Sequence, residues 1–214
     1  LIFKQYNEVV LFTRKTMTSA HKSIIPEFIE KIELLGLEEY FLVTKTEIKC
    51  LVTGSSIIFA GLQSSSGDNT ANLKSLAGVT AWILEEGEEL TDEDTFDRID
   101  LSIRKMGVQN RVILIMNPAT KEHFVYKRYF ESAGIEAGSN TSTESNLYIH
   151  TTYLDNIENL SQSFIDRANH MKETNPEKYN HIMLGGWLNR AEGVIFDNYS
   201  IGEIKRTGSV IFAQ

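Results

Sequence analysis

The chain has 214 residues, with 21 Lys+Arg against 29 Asp+Glu for a formal charge of −8, and 42% of it is apolar and 23% charged. That composition excludes intrinsic disorder as the main state. It leaves enough chain for one large domain, or one domain and a piece of a second, with roughly 70% of the unfolded surface buried. A single cysteine, Cys50, excludes a disulfide framework and a cysteine-rich zinc site and suits a reducing compartment, with the cytoplasm as default. No apolar run is long enough for a transmembrane helix, and Leu1-Ile2-Phe3-Lys4-Gln5 does not resemble a signal peptide. The chain lacks an initiator Met and both begins and ends on apolar, strand-like stretches, Leu1-Ile2-Phe3 and Ser209 to Gln214, so it reads as a piece of something longer.

In chain order, Val9-Val10-Leu11-Phe12 is a short apolar run suited to a buried strand. From Thr18, a stripe of Ile24, Ile25, Phe28, Ile29, Ile32 and Leu35 has helical period, with Gly36 as its stop; Pro26 requires a kink or a helix start nearby. Glu47 to Val52 and Ser56 to Ala60 flank Thr53-Gly54-Ser55 and predict a hairpin, followed by a polar loop from Gln63 to Asn72. Val79 to Leu84 and Arg111 to Met116 read as buried strands, separated by a helix capped by Thr91 with Asp92, Glu93 and Asp94 in its first turn. A helix over about 122–132 leads through a polar loop to a strand over 147–151. Two helices then follow, about 157–171 and 176–184, before Gly185-Gly186 opens a β-rich end. Strands alternating with helices predict an α/β fold, a mainly parallel sheet flanked by helices.

The residues with chemical potential cluster at strand ends. The apolar strand Val79 to Leu84 runs directly into Glu85-Glu86, and in a parallel α/β sheet ligands sit beyond the carboxyl ends of the strands. One such carboxylate can hold Mg²⁺ while its neighbour orients or deprotonates an attacking water, the Walker B arrangement of nucleotide hydrolases. The competing reading is a solvated acidic loop made by Glu85, Glu86, Glu88 and Glu89. A second strand ends at Met116-Asn117-Pro118, where the Asn117 amide can reach a γ-phosphate or the lytic water; alone, Asn-Pro is a turn signal. The phosphate-cradling pattern G-x-x-x-x-G-K-[ST] is not found in the chain, so an ATPase reading requires that loop to lie before Leu1.

These segments, in their order and spacing, resemble the large terminase subunits of tailed bacteriophages, of PBSX-like type. The resemblance spans nearly the whole chain. It rests on Thr13-Arg14-Lys15-Thr16; Gly36-Leu37 through Phe41; Gly54 through Leu62; Leu73-Lys74-Ser75-Leu76-Ala77-Gly78; Trp82 through Glu89; Asn117-Pro118; Thr151 through Asn156; and Gly186-Trp187 followed by Glu192 through Phe196.

The resemblance implies a P-loop NTPase (ASCE) core over residues 1–154 without its phosphate-binding loop, a helical linker subdomain over 155–192, and the beginning of an RNase H-like nuclease domain over 193–214. It implies an ATP-hydrolysing motor that moves double-stranded viral DNA into a procapsid, with nuclease activity in the full-length protein and little activity in this piece alone. Glu85 is then the Walker B acid on Mg²⁺, Glu86 the catalytic carboxylate, and Asn117 the residue coupling hydrolysis to movement. Arg14 and Lys74 stand in matching segments, where a phosphate or DNA contact competes with a plain surface cation. The family often has Ala where Gly87 stands, a departure that loosens the loop. Implied cofactors are ATP and Mg²⁺, with a further divalent metal at the nuclease site. Implied partners are viral DNA, the portal protein, the small terminase subunit and further copies in a ring, but no membrane. The implied place is the host cytoplasm, transiently at the procapsid portal vertex.

The remaining features read as structural. His21, His123, His150, His170 and His181 lack zinc-ligand spacing, Trp82 reads as core, Trp187 as an anchor for the linker, and Cys50 as buried. The acidic balance and the lack of a basic run give no footprint of a simple DNA binder. Arg104, Lys105, Lys121, Lys127 and Arg128 are candidate channel cations, against solvated helix faces as the alternative. Two other functions stay open from the residues alone: another P-loop ATPase such as a helicase, and a non-enzymatic interaction domain.

Overall fold

The computed structural model describes residues 6–64, 67–68 and 78–189. Lys74 and the stretch expected to begin a nuclease domain, 193–214, lie outside the described residues.

The backbone of the fold is a sheet in the order β2 (Phe41–Val43), β3 (Glu47–Cys50), β4 (Ser56–Ser64), β1 (Val9–Thr16), β6 (Ala81–Glu85), β7 (Arg111–Ile115), with β5 (Gly67–Asp68) paired to β4. The four strands β4, β1, β6 and β7 are mutually parallel, as the strand–helix alternation predicts. The expected hairpin forms as the antiparallel pair β3 and β4, with Gly54 at φ +71° in its turn. The short β2, which has no clear sequence signal, adds antiparallel to β3.

Alternation along the central strands assigns residues to two faces. Val10, Phe12, Ile57, Phe59 and Ala81 meet Ile24 and Ile25 on one side, where Phe28, Ile29 and Ile32 of α2 (Ile24–Leu34) cover them. Leu11, Trp82 and Leu84 meet Phe96, Ile99, Phe124 and Val125 on the other. The break demanded by Pro26 falls at Ser23, between α1 (Met17–Lys22) and α2, so Pro26 sits in the first turn of α2 where its missing N–H leaves no bond unmade. Gly36 at φ +63° follows the helix as anticipated.

Five sequence expectations are corrected. The strand read as buried over Arg111 to Met116 forms as β7 but is not buried: it pairs only with β6 among the described residues, and Ile113 and Ile115 are 42% and 50% exposed. The helix after β6, α3 (Glu93–Asp100), is capped by Asp92 rather than Thr91: the Asp92 carboxylate accepts from Thr95 N at 3.1 Å. Residues 124–131 form a short helix, α4 (Phe124–Tyr126), that widens into a π-helical turn at Lys127–Glu131. The strand expected at 147–151 does not join the main sheet: β9 (Leu147–Tyr148) pairs only with β8 (Thr141–Ser142), because the intervening Gly/Ser/Thr/Asn loop folds back as a local hairpin. The helix expected from Ile157 starts later. Tyr153–Asn159 is a kinked 3₁₀ segment, and α5 (Gln162–Thr174) begins after Ser161, whose hydroxyl accepts from Phe164 N at 3.3 Å.

The last helix, α6 (Pro176–Leu184), carries Pro176 in its first turn and ends at Gly185 with φ +65°. The chain then returns to the core. Leu188 N donates to Ala119 O at 2.9 Å and Lys121 N donates to Leu188 O at 2.8 Å, while the Trp187 ring lies against Tyr126 and Phe130 at centroid distances of 5.2 and 5.8 Å. Trp187 is therefore an anchor, and Trp82 and Cys50 are core residues with no exposed surface. Among the described residues, no helix is long and apolar enough to cross a membrane.

Candidate functional site

The register of the parallel strands assembles the site. Thr13 pairs with Leu84 at the end of the β1–β6 ladder and Glu85 pairs with Ile115, so the next residue of β1, Arg14, and the residues following β7 come to the same carboxyl edge as Glu85 and Glu86.

Arg14 spans both carboxylates. Its Nε stands 3.1 Å from Glu85 Oε2, its Nη2 meets Glu86 Oε1, and its Nη1 donates to Ser23 Oγ at 2.8 Å. The Arg14 side chain is only 12% exposed, against 30% for Glu85 and 38% for Glu86. A surface cation is excluded for Arg14: it is a partly desolvated charge held by two acids. The Nε and Oε2 atoms are both buried and lie at ion-pair distance without hydrogen-bond alignment. Burial pushes the Glu85 carboxyl above its ordinary range, Arg14 pulls it back, and the neighbouring charges of Glu86, Glu27 and Glu88 push it up again.

Glu86 follows β6 in a left-handed conformation, φ +53° and ψ +47°, unusual for a residue with a Cβ. Strain of this kind is retained where the surrounding fold imposes it, and it turns the chain sharply from the strand into the 3₁₀ segment Gly87–Glu89. Gly87 itself has ordinary φ, and a Cβ there would meet Met116 Cβ at 3.5 Å, a normal contact. The Ala that the resemblance leads one to expect at this position therefore fits.

Asn117 stands just beyond β7 and does not touch Arg14, Glu85 or Glu86 through any hydrogen bond among the described residues. It is held instead by Glu88: Asn117 N donates to one carboxylate oxygen and Asn117 Nδ2 to the other, each at 3.2 Å. His123 lies behind this loop, accepting at Nδ1 from Val125 N at 3.3 Å and stacked on Phe124. Burial holds its pKa down, outweighing the backbone of Glu88 and Leu90 and the Glu88 charge, which favour protonation. It is a structural histidine with a buried Nε2 that lacks an aligned hydrogen-bond partner.

Sequence reasoning missed Ser23, Glu27 and Glu88. Ser23 reaches the site from the break between α1 and α2 and Glu27 from the first turn of α2, a placement no local pattern announces. Glu88 lay in plain view within the acidic run, but its partner is 29 residues away. Four of the five candidate channel cations are engaged locally. Lys127 pairs with Glu122 at 2.8 Å, Arg128 with Asp97 at 2.5 Å while lying over the rings of Phe96 and Tyr129, and Lys105 donates to Asn7 O at 2.8 Å. Lys121 lies over the Tyr126 ring, and Arg104 is exposed. Among the described residues, no group of three or more His, Cys, Asp or Glu converges as a ready-made metal cage.

Residues 2–186 match the family described as phage terminase large subunit. The large subunit of the terminase of Bacillus phage SPP1 is 28% identical over 204 residues, covering 90% of this chain and 45% of that protein. Among solved structures, the large terminase of a thermophilic bacteriophage in complex with ADP superposes with a TM-score of 0.63 at 14% identity, covering 88% of this chain and 42% of that one. The ATPase domain of the Thermus phage P74-26 large terminase gives a TM-score of 0.59 at 13% identity over 87% of this chain and 79% of that one. The chain thus spans less than half the length of the SPP1 protein and of the ADP-bound terminase, and its sheet matches that of the P74-26 ATPase domain. A match over almost the whole chain, on a fold whose strand ends bring Arg14, Glu85 and Glu86 together, makes this chain a member of the phage terminase large subunit family.

Proposed function

We propose that this chain is part of the ATP-hydrolysing motor of a large terminase, which drives double-stranded viral DNA into a procapsid. The observation that carries this reading is the convergence at one sheet edge of Glu85 and Glu86, bridged by Arg14, one strand away from Asn117. Glu85 fits a Mg²⁺ ligand: it offers a hard carboxylate oxygen that is buried without an aligned hydrogen bond, and a neighbouring cation would favour its ionised form. Bound Mg²⁺ would neutralise charge on the phosphate oxygens.

Glu86 takes the proton as water attacks the γ-phosphorus and the bond to the leaving ADP oxygen breaks. The Arg14 guanidinium occupies the Glu86 oxygen that water would need, so Arg14 has to release Glu86 when the nucleotide arrives, and the γ-phosphate is the anion that competes for it. Asn117, at the tip of the adjacent strand, senses the occupied site, and the chain just beyond it pairs with Leu188 where the helices α5 and α6 return to the core. Residues 155–192 then serve as the linker subdomain through which hydrolysis moves the rest of the motor. The portal protein, the small terminase subunit, sister subunits in a ring at the procapsid portal vertex, a host-cytoplasmic setting and a metal-dependent nuclease in the whole protein complete this reading through family membership.

The test is Glu86→Gln in the intact gene product, assayed for DNA-stimulated ATP hydrolysis. Loss of a general base lowers kcat by about 10²–10⁴-fold. Hydrolysis at the unsubstituted rate removes Glu86 from the reaction.

A further inference from the structure

We infer that Glu88 is the positioning residue that fixes the side-chain amide of Asn117 in one of its two flips, so that Asn117 serves the attacking water as a hydrogen-bond acceptor. The inference rests on the ATPase reading and deepens it.

The geometry is two-pronged. Both Glu88 carboxylate oxygens are used on the same residue, one accepting from the Asn117 backbone N–H and one from its Nδ2, each at 3.2 Å. A carboxylate has no proton to give, so the NH₂ side of the amide has to face it and the carbonyl side has to face away. Among the described residues, no donor reaches Asn117 Oδ1. That leaves an acceptor at the carboxyl end of β7, beside the β6 end that carries Glu85 and Glu86.

The orientation has chemical consequences. A water about to lose one proton to Glu86 has a second O–H to place, and an acceptor on its far side orients its lone pair towards phosphorus. The opposite flip would present N–H groups, which cannot accept that second O–H and leave the water without this orienting bond. Glu88 belongs to the Gly87–Glu89 segment that immediately follows Glu86, so any movement of the catalytic loop is passed to Asn117 through this contact. The strained left-handed backbone at Glu86 sets where Glu88 emerges.

The experiment is a donor–acceptor swap in the intact gene product, reading ATP hydrolysis. Glu88→Gln keeps the size but lets the amide turn either way, and it lowers kcat by about tenfold with KM for ATP within about twofold. Asn117→Asp alone sets two carboxylates against each other and loses more. In the double variant, Glu88→Gln with Asn117→Asp, the introduced amide donates to the introduced acid while still accepting from the backbone, and an acceptor oxygen is restored to the water; its kcat exceeds that of Asn117→Asp alone. The contact is exposed enough that thermal unfolding should be unchanged in all three. An unchanged rate in Glu88→Gln, or a double variant no faster than Asn117→Asp, overturns the inference while Glu86→Gln remains inactive. An unsubstituted protein that does not hydrolyse ATP overturns the ATPase reading and, with it, the role given to Glu88.

Discussion

Thr13 and Trp82 lie 69 residues apart and meet at the centre of the sheet, where the indole Nε1 donates to the Thr13 hydroxyl at 2.8 Å. That hydroxyl in turn donates to Ile83 O at 3.3 Å, and neither side chain has any exposed surface. A tryptophan N–H sealed in an apolar core needs this acceptor. Because the bond ties β1 to β6 one residue before Arg14 and three before Glu85, the same contact that stabilises the core sets the register of the site.

Thr13→Val, which keeps the shape and removes the acceptor, should destabilise the protein by about 1–3 kcal/mol through the orphaned indole. Thr13→Ser, which keeps the acceptor, should retain more of that stability. Urea unfolding distinguishes them, and equal losses in the two variants would show that the hydrogen bond contributes nothing beyond packing.

Removing Arg14 leaves the partly buried Glu85 without its cation. Arg14→Ala should lower kcat for ATP hydrolysis by about tenfold or more, and Arg14→Lys should not restore it, since an ammonium group cannot span Glu85, Glu86 and Ser23 at once.

The raised pKa of Glu85 gives two opposite pH trends. Its stability term is present below the unfolded carboxyl value and is lost as pH rises through the raised folded value, because the folded state disfavours the charge. In the proposed mechanism activity requires that charge, so the acid limb of the kcat/KM profile should lie above the ordinary carboxylate range. Glu27→Gln removes a repelling neighbour and should move this limb to lower pH, whereas Arg14→Ala should move it higher. A limb that does not move in either variant would assign it to another group.

Gly87→Ala should stabilise the loop by about 0.4–1 kcal/mol, because the backbone there is accessible to any L residue and the new methyl meets Met116 at ordinary contact distance. Thermal unfolding measures it; a loss of stability would show that the segment needs the conformational freedom of glycine.

Trp187→Ala should loosen the return of the chain onto the core after α5 and α6 at a cost of about 2 kcal/mol. Hydrogen exchange should rise at Lys121 and Leu188, whose amides close the pairing beside Trp187. Protection unchanged at those two amides would mean that the backbone pairing holds without the aromatic anchor formed with Tyr126 and Phe130.

By itself, the sequence determined the elements whose pattern is local. The apolar runs around Val10 and Trp82 form buried strands and the run around Ile113 forms a strand, though one that leaves Ile113 and Ile115 exposed; the stripe from Ile24 to Ile32 has helical period, and Glu85-Glu86 and Asn117 stand at strand ends where a parallel sheet places ligands. It misjudged features decided by competition among neighbours: which of Thr91 and Asp92 caps α3, where α5 begins, and whether residues 147–151 join the sheet. Only the tertiary structure decided that Arg14 lies across two carboxylates, that Glu86 carries a left-handed backbone, and that Glu88 grips Asn117. The reason is that these relationships follow from parallel strand register. The crossovers joining parallel strands leave register free of any nearby turn, so it is set by side chains meeting across the sheet, such as Thr13 and Trp82, whose separation along the chain no periodicity encodes.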